Sequence, residues 1–301
     1  MLAIVIPYYK LIFFDETLRS LSDQTDKRFK VYIGDDESPD DVSVLLQQYE
    51  DRFDFVYYRF ENNLGNVSLT QHWERCIALS SKEQWIMILG DDDVLKSNVV
   101  ESFYANLNEI VCNDINVVRF STTVDQDNSE FKEYKAIHPK FETISDFYYR
   151  KFKGHTRSSL SEYIFRREAY DKNRFKNYPL AWHSDDKAWL DFSDNRPIFT
   201  INEAEVVIRI SNHSISGKTN DKTQKDAARL MFFADLVINS LDKFSNKTKF
   251  LLLIRYEMIL TYQKKLTIKE WFFIIKKYFK IGSLKEIIKV FRRMFINQFL
   301  S

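Results

Sequence analysis

The sequence predicts an α/β protein with a doubly wound, mixed and mostly parallel sheet, followed by a helical C-terminal appendage. Short apolar runs alternate with amphipathic segments over roughly the first 125 residues, and each run ends in polar or acidic residues. From about Asp221 onward only helical patterns remain. Alternating strands and helices are typical of a parallel sheet. The 301 residues suffice for a larger and a smaller domain, which we expect at residues 1–218 and 219–301.

The first half of the chain contains five predicted strands, at residues 2–6, 31–34, 55–58, 85–89 and 116–121. Helices are predicted between them, the first with Leu18 and Leu21 on one face and a later one at residues 68–79. Asp40 or Asp41 is a suitable N-cap for the helix after the second strand. The run that starts at Trp85 is apolar without interruption, which indicates a strand buried on both faces.

Composition excludes several classes of protein. With 44 Lys and Arg against 43 Asp and Glu, the net charge is +1, so we expect no nucleic-acid partner. Cys76 and Cys112 form no CxxC motif, which fits a reducing, cytoplasmic location. The first residues show no signal-peptide pattern, and no apolar run approaches the roughly 20 residues that span a bilayer.

Polar residues follow four of the predicted strands, where ligands of parallel sheets bind. They are Pro7 and Tyr8, Asp35 and Asp36, residues 63–65, and Asp91 with Asp92 and Asp93. Three adjacent carboxylates repel one another unless a cation, hydrogen bonds or water compensates them. An all-oxygen cluster suits Mg²⁺ or Mn²⁺. The alternative is a solvated acidic turn that caps the next helix.

These motifs, in this order and spacing, resemble those of family 2 glycosyltransferases, which have the GT-A fold. The similar segments are residues 4–9, 35–38, 63–65 and 89–93. The resemblance implies an inverting transferase that uses a nucleotide-diphosphate sugar, usually a UDP-sugar, together with a divalent metal ion.

The resemblance also implies roles for individual residues. Pro7 and Tyr9 would lie beside the base and ribose, Asp36 or Asp35 would bind the base, and Asn63 and Gly65 would mark a loop near the nucleotide. Asp92 and Asp93 are assigned to the metal ion, and Asp91 to the sugar or ribose.

The chain departs from the family pattern at two places. Thr70 and Gln71 stand where the family usually has an Arg-Asn pair, and Gly90 stands at the first position of the usual DxDD motif. The resemblance therefore leaves open which group takes over the arginine's task, and which carboxylate binds the ion.

A second acidic pair, Asp185 and Asp186, follows Ser184. Ser184 is predicted to cap a helix, whose positive end would stabilise both carboxylates without any chemistry. In the alternative, the pair matches the family's Glu-Asp motif, whose aspartate takes the proton from the acceptor hydroxyl. We assign Asp186 as this base, with Asp185 as the second choice.

The remaining segments carry weaker signals. Residues 125–152 resemble the variable insertion that shapes the acceptor site, and we interpret His155 and Arg157 as ordinary loop residues. Strands are predicted at residues 163–165, 198–201 and 206–210. The polar loop at residues 211–217 follows them, and His213 in this loop is an additional candidate for the metal and diphosphate.

The C-terminal quarter is basic and amphipathic. Capping boxes at residues 267–270 and 283–286 predict two helix starts, and Gly282 predicts a helix end between them. Ten Lys and Arg but only two Glu lie between residues 264 and 301, a local net charge of +8. Such helices suit the anionic inner face of a membrane. They could equally pack on the catalytic domain or on a second copy of the chain.

These patterns together predict a metal-dependent glycosyltransferase that acts on a saccharide or lipid-linked acceptor in surface polysaccharide or glycolipid synthesis. One alternative is a sugar-phosphate nucleotidyltransferase, which should have a glycine-rich loop where this chain has Tyr8, Tyr9 and Lys10. The other is a degenerate nucleotide-sugar-binding protein, which the departures at Thr70, Gln71 and Gly90 would suit.

Overall fold

A computed structural model describes residues 1–126, 135–282 and 284–299. The strands in these residues are β1 Leu2–Tyr8, β2 Phe29–Asp35, β3 Phe55–Arg59, β4 Trp85–Ile88, β5 Val94–Leu95, β6 Val117–Gln126, β7 Phe141–Glu142, β8 Tyr163–Arg166 and β9 Ile198–Ile210. The helices of the first two thirds are α1 Phe14–Ser22, α2 Ser43–Gln47, α3 Leu69–Ile77, α4 Val99–Cys112, α5 Ile144–Phe152, α6 Arg167–Asn173 and α7 Ser184–Ser193. The C-terminal helices are α8 Lys222–Asp235, α9 Asn246–Gln263, α10 Ile268–Ile281 and α11 Leu284–Phe299.

In the described residues, nine strands form one mixed sheet in the order β3-β2-β1-β4-β8-β6-β9-β5, with β7 added beside β9. Strands β1 to β4 are parallel, whereas β8 runs antiparallel to both β4 and β6. The chain proceeds outward from β1 to β2 and β3, then returns to the other side of β1 as β4. Ligands of such sheets bind at this reversal. The predicted fold class is therefore confirmed.

Both faces of the sheet are covered by apolar side chains. Residues of β1 alternate between two buried clusters, with Val5 in one and Ile4 in the other. The cluster that contains Val5 also includes Phe232, Leu252 and Trp271 from the C-terminal helices. The helical region therefore packs on one face of the sheet and shares its core.

Several element boundaries differ from those predicted. Helix α4, which the sequence predicts at about residues 98–107, continues to Cys112. The two strands predicted at residues 198–201 and 206–210 form the single strand β9. The register between β6 and β9 shifts next to Phe120, so residues 202–204 bulge out of the pairing. That irregularity explains why the sequence resembles two strands.

Helix caps were predicted with mixed success. Thr267 and Glu270 form the predicted capping box, and Gly282 ends α10 in a left-handed conformation. The N-cap predicted at Asp40 or Asp41 is wrong, because Val42 occupies the N-cap position of α2, although Asp41 accepts a hydrogen bond from the Ser43 backbone N–H beside it. The prediction for Ser184 is wrong, because His183 occupies the N-cap position with a positive φ and Ser184 is already in the helix. The capping box at residues 283–286 includes Ser283, which lies outside the described residues.

The apolar face of α11 is only partly buried. Ile287 packs into the core together with Val290, whereas Leu284, Ile288 and Phe291 are exposed. Sequence periodicity identified the apolar face but not how much of it is covered. No helix in the described residues is both long and apolar enough to cross a membrane.

Candidate active site

The carboxyl ends of β1 and β4 meet at Asp91. The backbone N–H groups of Tyr9 and Lys10 donate to Asp91 Oδ2 over 2.9 and 2.8 Å. Pro7 is half-buried within β1, and the Tyr9 side chain is partly exposed beside it. Asp91 therefore holds the loop after β1 against the acidic motif, as expected for residues that share one rim of the sheet.

Asp35 is buried at the end of β2, and the protein itself satisfies its carboxylate. Tyr57 Oη and Arg59 Nη1 donate to Oδ2 over 2.5 and 2.9 Å, and the Ser38 N–H donates to Oδ1 over 2.7 Å. This arrangement shapes the turn after β2. Whether Asp35 also contacts a nucleotide stays a prediction.

Asp36 anchors the loop that contains Asn63 and Gly65. The N–H groups of Leu64 and Gly65 donate to its two oxygens over 2.9 and 2.8 Å. A Cβ atom at Gly65 would lie 2.4 Å from Asp36 Oδ2, so glycine permits this close approach. The Asn63 side chain accepts from the Asn66 N–H and closes the same loop. The structure thus brings Asp36, Asn63 and Gly65 together, as the sequence predicts.

Arg75 is a residue that sequence reasoning missed. Its guanidinium group donates to the carboxylate of Asp36 and to Asn62 Oδ1, and lies 3.9 Å from the centre of the Phe60 ring. Arg75 is one helical turn beyond Gln71 on α3, and positions four apart share a helix face. Arg75 therefore supplies a cation one turn after Gln71, the second of the two positions where the family usually has its Arg-Asn pair. That spacing is the signal that could have identified it.

The three consecutive aspartates differ in their surroundings. Asp93 is buried, accepts from the Arg209 N–H over 2.9 Å at Oδ1, and contacts the Ser161 hydroxyl at Oδ2. Within the described part of the chain, no side chain donates a hydrogen bond to the Asp92 carboxylate. Burial, followed by the charges of Asp93 and Asp91, raises the pKa of Asp92 to about 8. Asp92 is thus the carboxylate whose charge the protein leaves uncompensated.

Gly90 leaves room for this arrangement. A Cβ atom at residue 90 would lie 2.9 Å from Asp93 Oδ2 and 3.0 Å from Asp92 Oδ1. The Gly90 N–H also donates to Ser161 Oγ over 2.9 Å, so Ser161 connects Gly90 with Asp93. The departure from the family's DxDD pattern is consistent with carboxylates that crowd this position.

The predicted metal ligands are close in space but do not form a complete cage. Among the described residues, no three His, Cys, Asp or Glu side chains converge on one point. Asp93 uses both oxygens within the protein, whereas the Asp92 carboxylate suits Mg²⁺ or Mn²⁺, which typically take other ligands from phosphate and water. His213 is exposed, and its carbonyl oxygen accepts from Lys10 Nζ, which brings its loop beside the loop after β1.

The second acidic pair lies at the start of α7. Asp186 is buried and contacts Lys151 Nζ through Oδ1 and His183 Nδ1 through Oδ2. Burial alone would raise the pKa of Asp186, but Lys151 and His183 lower it to about 2. Asp185 is half-buried, and among the described residues no side chain donates a hydrogen bond to its carboxylate, although the Asp186 backbone N–H does. Burial and the charge of Asp186 raise the pKa of Asp185 to about 7.

Ser161 and Glu162 connect the two acidic regions. Ser161 contacts Asp93, and the negative charge of Glu162 contributes to the raised pKa of Asp185. Glu162 is fully buried, and its Oε2 accepts from the N–H and hydroxyl of Ser159. Sequence reasoning missed Glu162, although its S-x-x-E spacing from Ser159 is a capping signature, which the structure confirms.

A cleft of about 660 Å³ opens beside the second acidic pair. It lies between the end of α5, the turn before α7, and helices α8 and α9. Lys151 and His183 line it, and both also contact Asp186. Residues 144–152 of the predicted acceptor insertion thus reach this cleft through α5, whereas residues 127–134 of that insertion lie outside the described residues.

Comparison with solved structures shows the same fold in S. aureus TarS. Over 96% of this chain and 81% of that chain, TarS 1–349 in complex with UDP-GlcNAc is similar with a TM-score of 0.65 and 14% identity. The complex of TarS 1–349 with UDP gives a TM-score of 0.64 at 12% identity, over 98% of this chain and 88% of that chain.

The likeness also extends to a longer TarS chain, with a TM-score of 0.62 at 13% identity over 94% of this chain. The present chain spans about half the length of that protein, 49%. No curated protein matches the sequence.

A family model described as Glycosyl transferase family 2 matches residues 3–174, which is more than half of the chain. The matched segment contains the turn with Asp36, the loop with Gly65, the three aspartates after β4, and Glu162. The chain therefore belongs to glycosyl transferase family 2.

Proposed function

We propose that the protein is an inverting glycosyltransferase that moves a sugar from a UDP-sugar to a hydroxyl group of a saccharide or lipid-linked acceptor. One observation carries this proposal. In each acidic region, side chains of the protein hold one carboxylate, Asp93 or Asp186, whereas the other, Asp92 or Asp185, accepts no side-chain hydrogen bond among the described residues. The family membership and the likeness to TarS, solved with UDP-GlcNAc and with UDP, support the donor class.

Asp185 is the proposed base. A single displacement requires a group that accepts the proton of the attacking hydroxyl on the side opposite the leaving diphosphate. A pKa of about 7 makes Asp185 a stronger base than Asp186, whose pKa is about 2. Asp186 is instead held by Lys151 and His183. We therefore propose Asp185 as the base in place of Asp186, which was the first choice from the sequence.

The donor is proposed to bind along the rim after β1, β2 and β4. Pro7 and Tyr9 would flank the base and ribose, and the loop with Asn63 and Gly65 would close the nucleotide side. Lys10 is suited to the diphosphate because it lies near the acidic motif. Its positive charge opposes the burial that raises the pKa values of Asp91 and Asp92. Mn²⁺ or Mg²⁺ held by Asp92 would supply positive charge for the departing diphosphate.

A nucleotidyltransferase is disfavoured by the loop after β1. That class uses free backbone N–H groups of a glycine-rich loop to bind a triphosphate. Here the N–H groups of Tyr9 and Lys10 donate to Asp91 instead, and the loop contains no glycine.

For the C-terminal helices we expect a position against an anionic membrane, where a lipid-linked acceptor for surface polysaccharide or glycolipid synthesis would be found. Exposed apolar side chains on α10 and α11 are Ile268, Phe272, Phe279, Leu284, Ile288, Phe291, Phe295, Ile296 and Phe299. Co-sedimentation with vesicles that contain anionic lipid tests this, with neutral vesicles as the control. Packing on a second copy of the chain is the alternative, and light scattering at rising protein concentration would detect it.

The proposal is tested by calorimetry with UDP, with and without Mn²⁺, followed by hydrolysis assays on a series of nucleotide-sugars. We expect metal-dependent UDP binding and slow hydrolysis of one donor. UDP binding without turnover of any donor would instead favour a nucleotide-sugar-binding protein. Absence of UDP binding would contradict the proposed donor class.

A further inference from the structure

The cleft beside Asp186 has the size and lining of a small-molecule site. Its volume of about 660 Å³ lies within the range of ligand pockets, roughly 300–1,000 Å³. Phe152, Trp182 and Phe233 provide much of its apolar wall. Aromatic faces of this kind suit the apolar faces of sugar rings or a lipid chain.

The cleft also has an excess of positive charge. Four of its lining side chains are cationic and one is acidic, namely Lys151, Lys222, Arg229, Arg255 and Asp226. Lys151 is paired with Asp186, and Arg229 Nη1 donates to Asp226 over 2.8 Å. Lys222 and Arg255 have no carboxylate partner within the described residues, although Arg255 donates to the Phe152 carbonyl over 2.8 Å. Two cations are thus left for an anionic ligand.

The position of the cleft links this charge to catalysis. Lys151 and His183 form part of its wall and contact Asp186, so one end of the cleft lies at the acidic pair. Lys151 also lies close enough to Asp185 to act on it electrostatically, although Asp185 itself does not line the cleft. A molecule that extends from this end of the cleft toward Asp185 would bring a hydroxyl to that carboxylate and leave its charged part near Lys222 and Arg255.

We infer that the acceptor is a phosphate-bearing molecule, whose phosphoryl group binds Lys222 and Arg255 while a nearby hydroxyl is glycosylated. This inference rests on the proposed function. The hydroxyl oxygen forms the new bond to the anomeric carbon as that carbon's bond to the diphosphate oxygen breaks. The proton passes to Asp185, and UDP leaves with the bonding electron pair. A lipid-diphosphate saccharide and a soluble sugar phosphate share this chemistry.

The test is calorimetry on the full chain with UDP and Mg²⁺ at saturating concentration, so that the donor site is filled. The probes are glucose 1-phosphate, glucose and farnesyl diphosphate. A phosphate-bearing probe should bind at least about tenfold more tightly than glucose, because charge-assisted hydrogen bonds are worth about 1.5–3 kcal/mol and 1.4 kcal/mol is tenfold in affinity. Its binding should also weaken with added salt.

The double variant Lys222→Gln/Arg255→Gln should lose about tenfold or more in affinity for that probe, again from the lost charge-assisted bonds. The matched control is Arg52→Gln/Lys82→Gln, which removes the same charge from exposed positions that precede β3 and β4 and do not line the cleft. It should bind the probe as the unmodified protein does. Thermal melting checks that both variants are folded.

The probes also distinguish the two sources of phosphate. Binding of farnesyl diphosphate alone supports a lipid-linked acceptor, and binding of glucose 1-phosphate alone supports a soluble one. Equal affinity for glucose and both phosphate-bearing probes, an unchanged affinity in Lys222→Gln/Arg255→Gln, or no probe binding would each overturn the inference. UDP is also titrated separately into each protein. Failure to bind UDP would contradict the proposed donor site, whereas normal UDP binding together with any of the three results above would contradict only the phosphate-bearing acceptor.

Discussion

The two acidic regions of this protein have similar sequences but opposite charge balances. Around Asp92, hydrogen-bond donors hold the neighbouring aspartates, and among the described residues no Lys or Arg forms an ion pair with the three carboxylates, although the charge of Lys10 acts on Asp91 and Asp92. Around Asp185, Lys151 is paired directly with the adjacent Asp186. The first region consequently suits an external cation, which we propose is the metal ion, whereas the second has its own cation beside Asp186, and Asp185 is the proposed base. Adjacent aspartates thus acquire different tasks from the groups that surround them.

The largest expected effect is the loss of the base. Asp185→Asn should lower the transfer rate by about 10²–10⁴-fold, the usual contribution of a positioned general base, because an amide cannot take the proton. UDP affinity, measured by calorimetry, should be unchanged. Asp186→Asn serves as the comparison and should retain more activity. If Asp185→Asn stays active while Asp186→Asn is inactive, the roles of the two residues must be exchanged.

Removal of the Asp92 carboxylate should weaken binding of the donor instead. In the presence of Mn²⁺, Asp92→Asn should weaken UDP binding by about 10–100-fold, a range that even outer-shell changes at metal sites reach. UDP binding without metal should change little. The control is Asp93→Asn, which should chiefly lower the melting temperature because Asp93 is bonded to Ser161 and the Arg209 N–H. Unchanged metal dependence in Asp92→Asn would move the ion to other residues.

Lys151→Met removes the internal cation of the second region. Loss of one partner of a buried ion pair typically costs about 3–5 kcal/mol of unfolding free energy, which denaturant titration would measure. Because Lys151 and His183 depress the pKa of Asp186 to about 2, the pair stabilises the folded state above the ordinary aspartate pKa of about 4. This contribution is lost as the pH falls toward about 2. The unfolding free energy should therefore decrease less on acidification in Lys151→Met than in the unmodified protein.

The same substitution should change the pH dependence of transfer. In the unmodified protein, activity should fall as the pH decreases through about 7, because Asp185 must be ionised to accept a proton. Lys151 lowers the pKa of Asp185, so its removal should move this acidic limb to higher pH. If the acidic limb of the pH profile does not move in Lys151→Met, a group other than Asp185 is responsible for it.

Gly90→Ala should have the smallest effect. The new methyl group would approach the oxygens of Asp92 and Asp93, which must shift by a few tenths of an ångström. Overpacking of this kind costs about 1–3 kcal/mol, so UDP affinity with Mn²⁺ should fall modestly. Gly154→Ala is the comparison, since a Cβ atom there meets nothing within 4 Å, although its φ of 75° makes alanine unfavourable. Equal UDP affinity in Gly90→Ala would mean that the carboxylates adjust freely.

Sequence reasoning predicted more of the scaffold than of the side-chain geometry. Apolar runs such as the one after Trp85 identified the strands, because a strand buried on both faces permits little polarity. The cap at Ser184 was predicted wrongly, because the left-handed conformation of His183 depends on how the preceding turn packs. Arg75 was missed because its contact with Asp36 joins residues 39 positions apart.

By itself, the sequence determined the family, the fold class and the acidic residues at the strand ends, since short-range periodicity and motif order record these directly. Only the tertiary structure decided which of two adjacent aspartates is held by another side chain. Ser161, Arg209 and Lys151 are distant along the chain from the carboxylates they contact. Their positions depend on the folded sheet, and a carboxylate's pKa depends on the charges and burial that folding brings to it.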